Sequence, residues 1–203
     1  MEMHSQRNEK VLSGEVEALE AQIREAYGRV AYSHKTHEKC ADIYYNRLRL
    51  IKTLQIILSA ITTGGMIATL LGNDSRATLI STITSTILLA LTTYVKETEI
   101  GELANEHSRT ATDLWDIRES YLSLLADLAG GNINIEEIRV KRDELQRRLK
   151  EVYESAPRTI PKAYTQARRA LKLAEELTFS DEEIDRLLPV RFRKKQTGMT
   201  KKA

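Results

Sequence analysis

The chain has 203 residues, of which 31 are basic and 29 acidic, with three prolines, nine glycines and one cysteine. A single cysteine, Cys40, excludes an internal disulfide framework and suits a reducing cytosol, and the length is that of one domain. Few helix breakers and no alternating apolar–polar runs leave little room for a sheet, so the fold class is all-α.

The net charge of +2 conceals a division, because residues 191–203 hold Arg191, Arg193, Lys194, Lys195, Lys201 and Lys202 and no acid. A mean hydropathy of −0.39 likewise averages two apolar stretches against a chain that is 30% charged.

Residues 1–12 are polar and are expected to be disordered. Ser13 is placed to cap a helix beginning near Glu15, and Val16, Leu19, Ile23, Tyr27 and Val30 follow at helical spacing as one apolar stripe. No proline or glycine falls between Tyr32 and Arg49, so residues 13–52 read as a cytoplasmic helix that runs into the first apolar stretch. Tyr44 and Tyr45 are expected near lipid headgroups. His34, His37 and Cys40 recur every third residue, a conceivable zinc arrangement, but that spacing drifts around the helix and no fourth ligand is evident. The histidines are expected to be solvated, and no metal is assigned.

Residues 53–73 and 77–95 contain no charged side chain, and only Asp74, Ser75 and Arg76 lie between them. As helices they measure roughly 31 and 28 Å, close to the ~30 Å of a bilayer core. The reading is a two-span transmembrane hairpin. The alternative is a buried helical hairpin in a soluble bundle.

Polar residues are concentrated on one side of each span. Thr78, Ser81, Thr82, Ser85, Thr86, Thr92 and Thr93 share one sector of the second, opposite Ile80, Ile83, Ile87, Leu91 and Tyr94, and Thr84 strays. Gln55, Ser59, Thr62 and Thr69 form a narrower stripe on the first. These are candidate pore-lining residues, with Leu89 the one large apolar side chain in the hydroxyl sector, placed either to close a pore by dewetting or to fill space at a helix–helix contact. Equally, such hydroxyls bond i−4 carbonyls and pack helices. Ala60, Gly64 and Ala68 form a small-xxx-small stripe suited to close helix packing.

Lys39, Arg47, Arg49 and Lys52 precede the first span, and Lys96 and Arg109 follow the second, against Arg76 in the turn. The positive-inside rule puts both termini in the cytoplasm of a multi-pass inner-membrane protein. Residues 1–50 hold no apolar signal region, so the first span is expected to direct its own insertion.

From residue 96 to 129 the charged helical pattern resumes without a break. Ile100, Leu103, His107, Ala111, Leu114, Ile117, Tyr121, Leu124, Leu125 and Leu128 form a heptad-like seam, and Gly130-Gly131 end it. This helix is expected to run antiparallel to the first as a stalk, with Trp115 packing beside the seam. Residues 135–188 carry further helices, one capped by Asn134, one over about 162–177, and a short one opened by a Ser180–Glu183 capping box. The basic tail, 189–203, suits anionic headgroups or plain solvation, and nucleic acid is not an expected partner. No catalytic motif or cofactor signature appears, so no enzyme is predicted.

A charged helix, two Ser/Thr-rich spans and a long helix reading Lys96-Glu-Thr-Glu-Ile100-Gly-Glu-Leu-Ala-Asn-Glu-His107-Ser-Arg-Thr-Ala111, followed by Leu114 and Tyr121, resemble the SLATT superfamily over about residues 13–177. These are bacterial two-span effector domains that associate with nucleotide-sensing and nucleotidyltransferase modules. The resemblance implies a homo-oligomeric pore in an anti-phage or similar conflict system, depolarising or killing the infected cell. It implies a trigger from a partner encoded nearby: a sensor, a nucleotidyltransferase or a reverse transcriptase. The competing reading is a membrane-anchored scaffold whose helical domain binds a cytoplasmic partner without forming a pore.

Overall fold

A computed structural model describes residues 2–72, 75–131 and 134–194, with side chains from residue 14 onward. Among these residues there are helices and turns and no strand. The chain divides into two compact units, Met1–Ala167 and Arg168–Ala203.

The first unit is built on α1, Glu2–Gly72, a single helix of 71 residues and about 107 Å in length. It starts well before Ser13, since nothing in residues 2–12 breaks a helix, and it continues from the charged segment into the apolar one. The return path is α2, Ser75–Thr98, then α3, Ile100–Gly130. The residues joining α1 to α2, Asn73 and Asp74, lie outside the described ones, as does the end of the basic tail from residue 195.

α2 and α3 are not one continuous helix, contrary to the unbroken pattern of the sequence. Glu99 stands between them with φ 45° and ψ 34°, in the left-handed region. For a non-glycine residue that conformation costs roughly 1–2 kcal/mol and persists only where packing imposes it. Two residues on, a Cβ at Gly101 would lie 3.3 Å from Leu48 Cδ2 of α1, so α3 begins hard against α1.

Below the spans, α1, α3 and α4 (Ile135–Ser155) pack as a bundle. Its core holds Leu19, Ile23, Val30, Leu114, Ile117, Tyr121, Leu124, Ile138 and Leu145. The apolar stripe of α1 and the seam of α3 thus face each other, as their helical spacing requires. Gly131, at φ 64°, closes α3 by donating its N–H to the Leu128 carbonyl, and Asn134 caps α4 by accepting from the Glu136 N–H. An extended connector, residues 156–160, leads to α5, Pro161–Lys172, with proline in the first turn.

In the second unit α5 ends at Lys172, short of the expected residue 177. Glu175, at φ 49°, supplies a left-handed stop, and the Glu176 N–H returns to the Ala170 carbonyl. No glycine announces this stop. α6, Asp181–Leu187, carries the expected capping box in both directions. Lys194, expected in a solvated tail, pairs with both carboxylate oxygens of Asp181 at 2.8 Å.

Candidate functional site

The apolar halves of α1 and α2 pair as an antiparallel hairpin. The more covered positions are Ile51, Gln55, Leu58, Thr62, Gly65 and Thr69 on α1, and Ala77, Ser81, Thr84, Leu88, Leu91 and Val95 on α2. Both sets step by four and three, the spacing of a left-handed helix pair. The seam is polar along its length. Thr62 and Thr84 hydroxyls meet at 2.8 Å, Thr69 and Thr78 at 3.1 Å, and Gln55 donates to Thr92 at 3.1 Å. Ser81 donates to the Thr62 carbonyl at 3.3 Å. Gly65 permits the approach, because a Cβ there would stand 2.2 Å from Ser81 Oγ.

The residues predicted from the sequence therefore fall into two groups. Gln55, Thr62, Thr69, Thr78, Ser81 and Thr92 bond across the hairpin. Ser59, Thr82, Ser85, Thr86 and Thr93 are exposed on its outside, as is Leu89 at 67%. Thr84, set aside as a stray, belongs to the seam; its spacing from Ser81 and Leu88 was the signal that could have placed it. Ala60, Gly64 and Ala68 are exposed, and a Cβ at Gly64 would meet nothing within 4 Å, so this stripe does not pack against α2. The most apolar stretch of α1 has none of its residues buried, and that of α2 only 6%. The core helices of a soluble bundle would be covered, so lipid is the environment these surfaces fit.

Beneath the hairpin, α1 and α3 enclose a histidine cluster that the sequence reading expected to be solvated. His34, His37 and His107 are 6%, 4% and 0% exposed. His34 Nδ1 lies 2.9 Å from the Ala111 carbonyl. His37 Nδ1 and His107 Nδ1 are 3.0 Å apart, and Tyr44 stacks on His107 at 5.6 Å between ring centroids. Tyr44 is thus committed to the bundle instead of the headgroups, while Tyr45 donates to Asn105 at 2.5 Å. At the membrane edge, the Arg47 guanidinium lies over the Tyr94 ring, 5.4 Å from its centroid.

A bond between two Nδ1 atoms needs one proton on one of them and none on the other, so two imidazolium rings cannot form it. Burial, then the neighbouring His107 and His34, holds His37 down to about 4, and burial lowers His107 too. The pair is neutral at physiological pH. His107 Nε2 is buried with no hydrogen-bond partner among the described residues. An orphaned lone pair is better tolerated there than an orphaned N–H, which places the His107 proton on Nδ1, donating to His37. His37 then carries its own proton on Nε2.

Cys40 is fully buried, its thiol pushed up by that burial and partly offset by a bond to the backbone of Ile160. With His34, His37 and Cys40 each engaged elsewhere, no group of three ligating side chains fit for a metal occurs among the described residues.

Two long antiparallel apolar helices, bare on the outside and mounted on a charged helical bundle, define a two-span membrane protein. The chain belongs to the SMODS and SLOG-associating 2TM effector domain family 4, whose pattern matches residues 19–183. This family comprises membrane effector domains and is not a known catalytic one. No curated protein and no solved structure matches the chain.

Proposed function

We propose that this protein is the membrane effector of a bacterial anti-phage or similar conflict system. Copies assemble in the inner membrane, with both termini cytoplasmic, into a pore that depolarises the infected cell. A sensor, nucleotidyltransferase or reverse transcriptase module encoded nearby provides the trigger, in keeping with the associations in the family's name. The observation that supports a pore is the row Thr82, Ser85, Thr86 and Thr93, left exposed on the outer side of α2 after the hairpin has formed its own polar seam.

One observation favours the scaffold reading instead. Thr82 and Thr86 donate to the carbonyls of Thr78 and Thr82 at 2.9 Å, so these hydroxyls are satisfied without water. Membrane potential separates the two readings. Expression with the trigger collapses it if the hairpin conducts, and deleting residues 53–95 abolishes the collapse. Growth arrest that persists in the deletion assigns the activity to the cytoplasmic helices.

A further inference from the structure

A cleft of about 460 Å³ opens on the side of the bundle where the connector 156–160 passes α1. Its lining differs in charge from that of three other clefts. Glu38 and Asp42 line one, Glu154 a second, and Asp113, Asp116 and Glu151 a third. Among the described residues no carboxylate lines this one, in a chain with 29 acids. Among the described residues its one cationic side chain is Arg158, which is exposed and makes no hydrogen bond or ion pair with them.

The remaining polar lining is matched to an anion. His37 is almost wholly buried and lines the cleft, and its Nδ1 is committed to His107. Nε2, which carries the His37 proton when His107 donates from Nδ1, is the ring nitrogen left to donate to a ligand. Thr159 adds a hydroxyl beside Arg158. Tyr32 and Tyr164 stand 6.4 Å apart at 32°, and Tyr164 is 53% exposed. The gap is too narrow and tilted to hold a ring between them, since two stacking contacts need about 7 Å. Tyr164, half exposed and in the lining, offers ring surface on which one can stack. Tyr153 and Ser33, their hydroxyls 2.7 Å apart, also line it.

We infer that this cleft binds a small phosphorylated ring compound of the mononucleotide class. Arg158 and the His37 imidazole take the phosphate, and the ring stacks on Tyr164. A lipid headgroup is not the source of the phosphate. His37 precedes Lys52, at the membrane edge, by 15 residues of one helix, or about 22 Å, against a headgroup layer of roughly 5–8 Å. The inference does not depend on pore formation, because occupancy of the cleft can be read by itself.

The test titrates the full chain in detergent micelles with AMP, UMP, adenosine and inorganic phosphate, followed by calorimetry. Saturable one-to-one binding of AMP or UMP is expected, with adenosine and phosphate each weaker. Arg158→Ala is expected to weaken nucleotide binding about tenfold or more, and Tyr164→Ala to weaken it without changing phosphate alone. Both positions are exposed, so neither variant threatens the core. Flat isotherms with both nucleotides to about 1 mM, or affinity unchanged in Arg158→Ala, overturn the assignment. Phosphate binding as tightly as AMP overturns the ring half of it.

Discussion

At the scale of single residues, the His37–His107 bond ties α1 to α3 through one shared proton, and it makes the bundle acid-sensitive. His37 falls from 6.5 to about 4 on folding, so between those values the unfolded chain binds more protons than the folded one. Stability is therefore full above pH 6.5 and declines as pH falls towards 4. His107 is lowered in the same direction. Thermal melts of the full chain in detergent are expected to show a loss of roughly 1–3 kcal/mol over that window. His37→Asn is expected to lower stability at pH 7 but flatten the slope, and an equally steep slope in the variant would assign the sensitivity elsewhere. The burial of this cluster was not legible from its spacing. His34 and His37 sit among charged neighbours on one helix, and what covers them comes from Ala111 and His107, some 70 residues away in sequence. Only His107 lay on a recognisable apolar seam.

At the scale of elements, the spans, the glycine stop at Gly131 and the caps at Asn134 and Ser180 were all readable, because each is set by residues within a turn of it. The breaks at Glu99 and Glu175 were not, since tertiary packing holds an ordinary residue in a conformation that glycine would have advertised. The hairpin seam was half legible. A helical wheel finds the hydroxyls, but only pairing shows which of them face α1. Two adjacent glycines differ in surroundings, Gly65 packed inside the hairpin and Gly64 open on its outside. Gly65→Val is expected to drive Ser81 off the Thr62 carbonyl and destabilise the hairpin by about 1–3 kcal/mol. Gly64→Val should leave monomer stability unchanged, as its Cβ meets nothing within 4 Å, and should lower the yield of cross-linked oligomer if the proposed copies pack on this stripe. Equal losses of stability in the two variants would refute this division. Leu89, 67% exposed on the hydroxyl side of α2, tests the gate. If it closes the pore, Leu89→Ser wets the constriction, and liposomes carrying the variant leak without a trigger. A quieter variant assigns Leu89 to packing between copies.

At the scale of the whole molecule, the distribution of charge makes the topology testable. Six basic residues flank the cytoplasmic ends of the spans as read from the sequence, and Arg76 alone marks the turn. Ser75→Cys is expected to react with a membrane-impermeant maleimide added outside intact cells. Buried Cys40, its thiol pushed up, should stay silent as an internal control. A reporter active only in the cytoplasm should work at either end of the chain. Labelling at position 75 only after lysis would invert the orientation.

The uninterrupted α1 has a mechanical consequence. Its hydrogen-bond ladder runs from Glu2 to Gly72 with no proline and no left-handed residue, so one rigid element joins the bundle to Gln55 and Thr62 in the hairpin seam. The returning arm is jointed at Glu99. The two arms thus cross from the bundle into the hairpin differently, one on an unbroken bonded ladder and the other across a left-handed residue held in place by the packing of α3 on α1.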